Sequence, residues 1–265
     1  MDEETRIRRA HTFDKIAELY DRGRRGYPDR IFNDLFTQAG MEPSSAHVLE
    51  IGCGTGQATQ PLARRGCRVV CVEMGANLGR IARRNLADFP LVRVDSARFE
   101  DWNPGDLSFD IVFAATSWHW LDPQLRYAKA AAALRSAGVL AFTTGGHVFP
   151  PGFDPFFTEI QQCYEAIGEA RGTPPPAPEE ICDAREEIEQ SGYFEKVRVT
   201  RCISVEEFTA DEYVAMMSTA SDHQLMQPEK REQLFAEMQR LIQASPGERI
   251  RKHNLVLLHV AQKKT

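Results

Sequence analysis

Nine residues, Val48 to Gly56 (V-L-E-I-G-C-G-T-G), constrain this chain more than any other stretch. The apolar run with β-branched members reads as a buried parallel strand, and three glycines at alternate positions follow it at once. Such glycines let the backbone turn sharply and come close to a ligand. Gln57 to Arg65 then has helical composition. Strand, glycine turn and helix N-terminus together present unpaired N–H groups and the positive end of a helix dipole, the floor of a nucleotide-type site.

The alternation continues to residue 145. Strands are expected at Arg68–Glu73, Leu91–Asp95, Phe109–Thr116 and Val139–Thr144, with helices over Ala76–Ala87 and Asp122–Ser136 between them. That rhythm belongs to right-handed crossovers in a parallel sheet covered on both faces. Two helical patterns precede it, Phe13–Tyr20 and Pro28–Ala39, with Gly40 as a stop. After Gly146 the rhythm changes. An amphipathic helix spans Phe153–Gly168, Thr173–Pro178 is a proline-rich linker, and a further helix covers Glu179–Gln190. Glu195–Cys202 alternates like a half-buried strand, two helices fill 205 to 243, and Asn254–Val260 closes the chain as an antiparallel strand.

The expected architecture is α/β: a Rossmann-like, doubly wound, mostly parallel seven-stranded sheet with an antiparallel last strand and a helical lid insertion. Its parts are an N-terminal helical cover (1–45), a cofactor-binding core (46–148), helices and a sixth strand (149–204), the lid (205–245) and the last strand (246–265). No clean domain boundary separates them.

A formal charge of −6 disfavours broad phosphate-backbone binding, so nucleic acid is not an expected partner. The six cysteines include no CxxC pair and no compact His/Cys cluster, which argues against zinc and against a disulfide framework. They read as reduced thiols of a cytoplasmic monomer or homodimer. Met1–Ala10 is charged, and no run approaches membrane-spanning length, so neither secretion nor a membrane is expected. No metal is expected.

Two cofactor classes use a glycine turn after a first strand. A dinucleotide fingerprint wants G-x-G-x-x-G, and its third glycine would fall at Gln57. Glu50, two residues ahead of the first glycine, offers a carboxylate to a cationic amino group instead of a cradle to a pyrophosphate. Adenosine joined to an amino acid is the ligand that fits.

On these motifs the chain resembles class I S-adenosylmethionine-dependent methyltransferases, near the methyltransferase type 11, ubiquinone-biosynthesis and trans-aconitate types. Glu73 ending the second strand, Asp95 ending the third, F-D-I-V-F-A-A at 109 to 115 and the Phe13, Tyr20, Arg24, Tyr27, Pro28 series complete the resemblance. It implies that Glu50 and the backbone of Gly52 and Gly54 hold the methionine part of S-adenosylmethionine. Glu73 would take the ribose hydroxyls, having two acceptor oxygens for a vicinal diol. Met74 would lie against adenine, and Asp95 would accept from its amine with Ser96 alongside. Tyr20 and Arg24 would cover the carboxylate end, although the family's R-P-x-Y-P is Arg24 Arg25 Gly26 Tyr27 Pro28 here, which leaves open which arginine faces inward. For Tyr20 and Met74, core packing is a near-equal alternative.

Methyl transfer needs alignment, exclusion of water and removal of a proton where the acceptor carries one. Thr116, Ser117, Trp118, His119 and Trp120 follow the fourth strand at the same sheet edge. Thr116 is counted with the cofactor site, Ser117, Trp118 and Trp120 with the acceptor, and His119 as a candidate base or merely a loop-orienting residue. His147 after the fifth strand is a further substrate candidate, with Phe149 and Phe153 near it. Met216, Met217 and His223 are lid candidates. The expected reaction is methylation of an apolar or aromatic small molecule, at oxygen ahead of nitrogen or carbon, leaving S-adenosylhomocysteine. The rivals are a non-catalytic cofactor-binding scaffold and an NAD-dependent oxidoreductase, the latter opposed by Gln57.

Overall fold

The computed structural model describes residue 8, residues 11–169 and residues 175–265. All of Met1–Ala10 except Arg8, and Thr173 and Pro174 of the proline-rich linker, lie outside the described residues. Seven strands, β1 (His47–Ile51), β2 (Arg68–Glu73), β3 (Val92–Ser96), β4 (Phe109–Ala115), β5 (Leu134–His147), β6 (Phe194–Phe208) and β7 (Ile250–Lys263), form one sheet in the order β3-β2-β1-β4-β5-β7-β6. β1 to β5 run parallel, and β7 enters antiparallel between β5 and β6. The strand order reverses at β1 and β4, and the crevice outside their carboxyl ends is where such sheets bind ligands.

Strand alternation feeds two apolar layers. Val48 and Ile111 meet Ile31, Phe32 and Leu35 of α2 (Asp29–Ala39) and Leu62 of α3 (Thr59–Arg64). Leu49, Ile51 and Val112 meet Ala130, Ala131 and Ala133 of α5 (Arg126–Ala133) on the opposite face. Each fully buried Leu, Ile or Phe contributes about 1.5–3 kcal/mol by leaving water, so strands apolar on both faces must lie inside such a sandwich. Further helices are α1 (Ala17–Gly23), α4 (Ala76–Asn85), α6 (Phe156–Ala166), α7 (Arg185–Gln190), α8 (Ala210–Met217), α9 (Ser221–Leu225) and α10 (Pro228–Ala244).

Several boundaries differ from the sequence reading, where strand pairing or a side-chain cap overrides the apolar pattern. The alanine-rich helix stops at Ala133, because Leu134 is already paired with Phe109, and a register shift with Ala137 at φ 59° carries the chain to the Ile111–Val139 pairing. The helix expected over Phe13–Tyr20 breaks at Ile16, close to Asp14, whose carboxylate is drawn to the amides of Asn77 and Leu78 at the start of α4. Glu179–Gln190 is not continuous: a short turn spans Pro178–Glu180, and Asp183 accepts from the Arg185 amide at 2.9 Å to begin α7. Both last strands are longer than expected. β6 extends to Phe208 because β7 pairs with it through Ile250, and three helices, not two, follow.

Candidate active site

The carboxyl edge of β1, β2, β4 and β5 opens into a cleft of about 470 Å³. The glycine turn forms its floor. Gly52 and Gly54 both adopt left-handed backbone, at φ 68° and 60°, and a Cβ on Gly52 would stand 2.8 Å from Ser117 Cβ. Gln57 occupies the third-glycine position of a dinucleotide turn, and its side chain folds back to donate to Thr55 Oγ1 at 2.7 Å.

Two carboxylates are sunk beside this turn. Glu73 Oε2 accepts from the Gly54 amide at 2.9 Å and Oε1 from the Gly75 amide at 2.8 Å, which fixes the carboxylate and leaves each oxygen a further lone pair. Glu50 is 1% exposed, and Cys71 Sγ lies 3.9 Å from its Oε2. Burial pushes both carboxyls up to about 7, and each is the other's negative neighbour or lies near a further acid. Neither has a cationic partner within 4.0 Å among the described residues. A ligand bringing an ammonium and a sulfonium would supply the compensation, and a ribose diol would complete Glu73, so these residues fit S-adenosylmethionine.

Aromatic residues close the other side. Phe13 meets Tyr20 edge-on at 5.7 Å and Trp120 at 5.8 Å, and all three line the cleft. The N-terminal segment is held there by Asp14 on α4 and by ion pairs from Glu18 and Asp21 to Arg84. Tyr27 Oη donates to the Ala115 carbonyl at 3.0 Å and lies 2.9 Å from Thr116 Oγ1, while the Thr116 amide donates to Thr143 Oγ1 at 2.9 Å. These contacts hold Thr116 at φ 55°, a costly conformation for a β-branched residue, where β4 meets the cleft.

Of the predicted residues, Tyr20, Arg24, Glu50, Gly52, Gly54, Glu73, Met74, Thr116, Ser117, His119 and Trp120 come together in this one cleft. Four do not. Asp95 accepts from Trp102 Nε1 at 3.0 Å and pairs with Arg93 at 2.9 Å, and Ser96 Oγ accepts from Arg83 at 2.7 Å; the residues after them, Ala97 to Glu100, line the cleft instead. Trp118 stacks on Phe142 at 5.0 Å inside the apolar layer, 3% exposed. His147 packs edge-on to Phe157 at 4.3 Å, away from the cleft, and burial pushes it down to about 3. Arg24 and Arg25 both line the cleft; Arg25 pairs with Glu212 at 3.5 Å, whereas Arg24 lies over the Tyr20 ring. Met216 reaches the cleft, but His223 is buried against Tyr164 at 2.8 Å, and Met217 packs under the helices. Phe149 stacks on Phe153 in that same cluster.

Sequence reasoning missed the far end of the cleft. Ser204 and Glu206 on β6, Lys252 and Asn254 on β7 and Gly145 on β5 line it, and only the Gly145-Gly146 pair left a visible mark in the sequence. Among the described residues no cluster of three or more His, Cys, Asp or Glu could hold a metal, and no helix is long and apolar enough to cross a membrane.

Residues 48–138 match the model of a methyltransferase domain family. Over that stretch the chain is similar to methyltransferase domains. A methyltransferase of Mycobacterium tuberculosis is 32% identical over 129 residues, 49% of this chain and 50% of that protein. The malonyl-[acyl-carrier protein] O-methyltransferase of Geobacter sulfurreducens is 30% identical over 165 residues, 57% of this chain and 58% of its own. The chain thus spans about half the length of the curated relatives it matches. A solved methyltransferase structure from Anaeromyxobacter dehalogenans shares the fold at a TM-score of 0.66 and 22% identity, over 90% of this chain and 97% of that one. The matched stretch contains the glycine turn, Glu50, Glu73 and the β4 edge, the half of the cleft that holds the two carboxylates.

Proposed function

We propose that this chain uses S-adenosylmethionine to methylate an oxygen of a small-molecule acceptor. The observation that carries the reading is the Glu50 and Glu73 pair, buried at the glycine turn with no ion-pair partner among the described residues. Glu50 would face the ammonium, Glu73 the ribose diol, Met74 and Phe99 the adenine, and Tyr20 with Arg24 the carboxylate. When bound, the cofactor supplies an activated methyl group on a sulfonium. The protein's own task is then alignment, dryness and proton removal.

His119 suits the last of these. It lines the cleft between the cofactor residues and Trp120, and burial together with the Arg126 charge pushes its imidazole below its ordinary value. It is therefore neutral at pH 7 and able to accept a hydroxyl or carboxyl proton. Phe13, Tyr20 and Trp120, in edge-on contact beside it, would shield the transfer path from water. An oxygen acceptor agrees with the O-methyltransferase relative. The six cysteines are free thiols, four of them buried, which accords with a cytoplasmic setting, as a monomer or homodimer. Incubation with methyl-labelled S-adenosylmethionine and a host metabolite extract, followed by mass spectrometry, should yield a labelled small molecule. Label appearing only on protein, or nowhere, would contradict the reading.

A further inference from the structure

The far end of the cleft holds a cation that methyl transfer itself does not use. Lys252 on β7 has Glu206 on β6 as its register partner, and Asn254 has Ser204. Alternate residues of a strand share a face, so these four side chains stand together, and all four line the cleft. The antiparallel entry of β7 brings them to the ligand-binding edge, where Gly146 pairs with Leu255 and His147 with Asn254.

A cross-strand lysine and glutamate ordinarily pair with each other. Here an amide stands between them. Lys252 Nζ donates to Asn254 Oδ1, and Asn254 Nδ2 donates to Glu206 Oε1 at 3.3 Å. Lys252 has no carboxylate within 4.0 Å among the described residues. Arg24, whose Nε donates to Thr219 Oγ1 at 2.7 Å, is a second cation of the same chamber. Burial, with the Arg24 charge, pushes Lys252 down to about 8, and the Glu206 charge only partly offsets it. Met216, Leu255 and Val256 supply apolar walls. Lys252 thus offers this end an ammonium with no ion-pair partner among the described residues, while Glu50 and Glu73 make the cofactor end negative.

We propose that Lys252 binds an anionic oxygen group of the acceptor, carboxylate or phosphate, and so selects acidic small molecules. The proposal rests on the methyltransferase reading and adds the acceptor's charge. Asn254 and Glu206 are positioning residues: they hold Nζ in place without neutralising it. A lysine suits this role because a point charge accepts either anion geometry.

The test uses the full chain saturated with S-adenosylhomocysteine and calorimetric titration of four probes of similar shape: phenylacetate, phenyl phosphate, 2-phenylethanol and 2-phenylethylamine. One of the two anions should bind at least about tenfold tighter than the alcohol, the scale of a single charge-assisted hydrogen bond, and the amine weakest. Phenylacetate ahead of phenyl phosphate identifies a carboxylate site; the reverse order identifies a phosphate site, and either upholds the proposal. Lys252→Met should abolish the preference and Lys252→Arg should keep it, with S-adenosylhomocysteine titration of each variant reporting an intact fold. Anions no tighter than the alcohol, a preference that survives Lys252→Met, or no probe binding to the loaded protein would overturn it. Failure of S-adenosylhomocysteine to bind the unmodified chain would instead strike the methyltransferase reading beneath it.

Discussion

The two ends of the cleft are made from different material. At the end proposed for the cofactor, the backbone of Gly52 and Gly54 and two carboxylates line the cleft, and the anchor of Glu73 is a pair of amides at the βαβ turn ends. At the end proposed for the acceptor, side chains of β6 and β7 line the cleft, brought to the β5 edge by pairing across the sheet, with helices α8 to α10 beside them. A site made of turns is written in consecutive residues. A site made of strand register is written in pairs of residues far apart, and no short motif records it.

The largest expected effect comes from disturbing backbone at the acceptor end. Gly145 has φ 121°, and a Cβ there would stand 2.0 Å from the Leu255 carbonyl, so Gly145→Ala must push β7 away from β5. A loss of about 2–5 kcal/mol is expected from strain and overpacking together, read as a lowered denaturant midpoint. A stability unchanged within error would mean that β7 is not held against β5 as described. Next, His119→Ala should lower kcat about a hundredfold, the lower range for a general base, while leaving S-adenosylhomocysteine affinity nearly intact. Full turnover with the true acceptor would leave His119 as lining only.

At the cofactor end, Glu73→Ala removes the acceptor of two amides and of the proposed ribose diol. Cofactor affinity should fall about 10–100-fold, the scale of one or two hydrogen bonds to a charge. Unchanged affinity would remove Glu73 from the site.

The smallest effect concerns Glu50 and pH. Its folded carboxyl titrates near 7, above the ordinary 4.5, because burial disfavours the charge. The unfolded chain therefore releases this proton first. Its contribution to the stability of the ligand-free protein is fully present below about 4.5 and is lost as pH rises through about 7, with Glu73 acting in the same sense. Glu50→Gln should flatten part of that loss, by about 1–2 kcal/mol at pH 8. An unaltered pH profile in the variant would show that Glu50 does not carry this proton.

What the sequence disclosed follows the same division. Val48 to Gly56, Glu73 and the β4 edge were legible because apolar strand runs and alternate glycines dictate local backbone, and their carboxylates lie in the cleft as expected. Asp95 was misplaced by position alone. It ends a strand at the right edge, but Trp102, seven residues on, engages its carboxylate, a contact that no periodicity reveals. His147 and Trp118 failed similarly, each drawn into apolar packing by Phe157 and Phe142. Lys252 and Asn254 were invisible as site residues because they look like ordinary alternation in a last strand until Glu206 and Ser204 are set opposite them.

The central claim is that the cleft binds S-adenosylmethionine through two carboxyls that ionise to meet its positive charge. Calorimetry with S-adenosylmethionine, S-adenosylhomocysteine and NAD at pH 6 and pH 8 tests it most directly. The first two should bind, S-adenosylmethionine more tightly at pH 8 and with proton release at pH 6, and NAD should give no heat of binding. NAD binding with no response to the other two, or S-adenosylmethionine binding that weakens as the pH rises, would contradict the account.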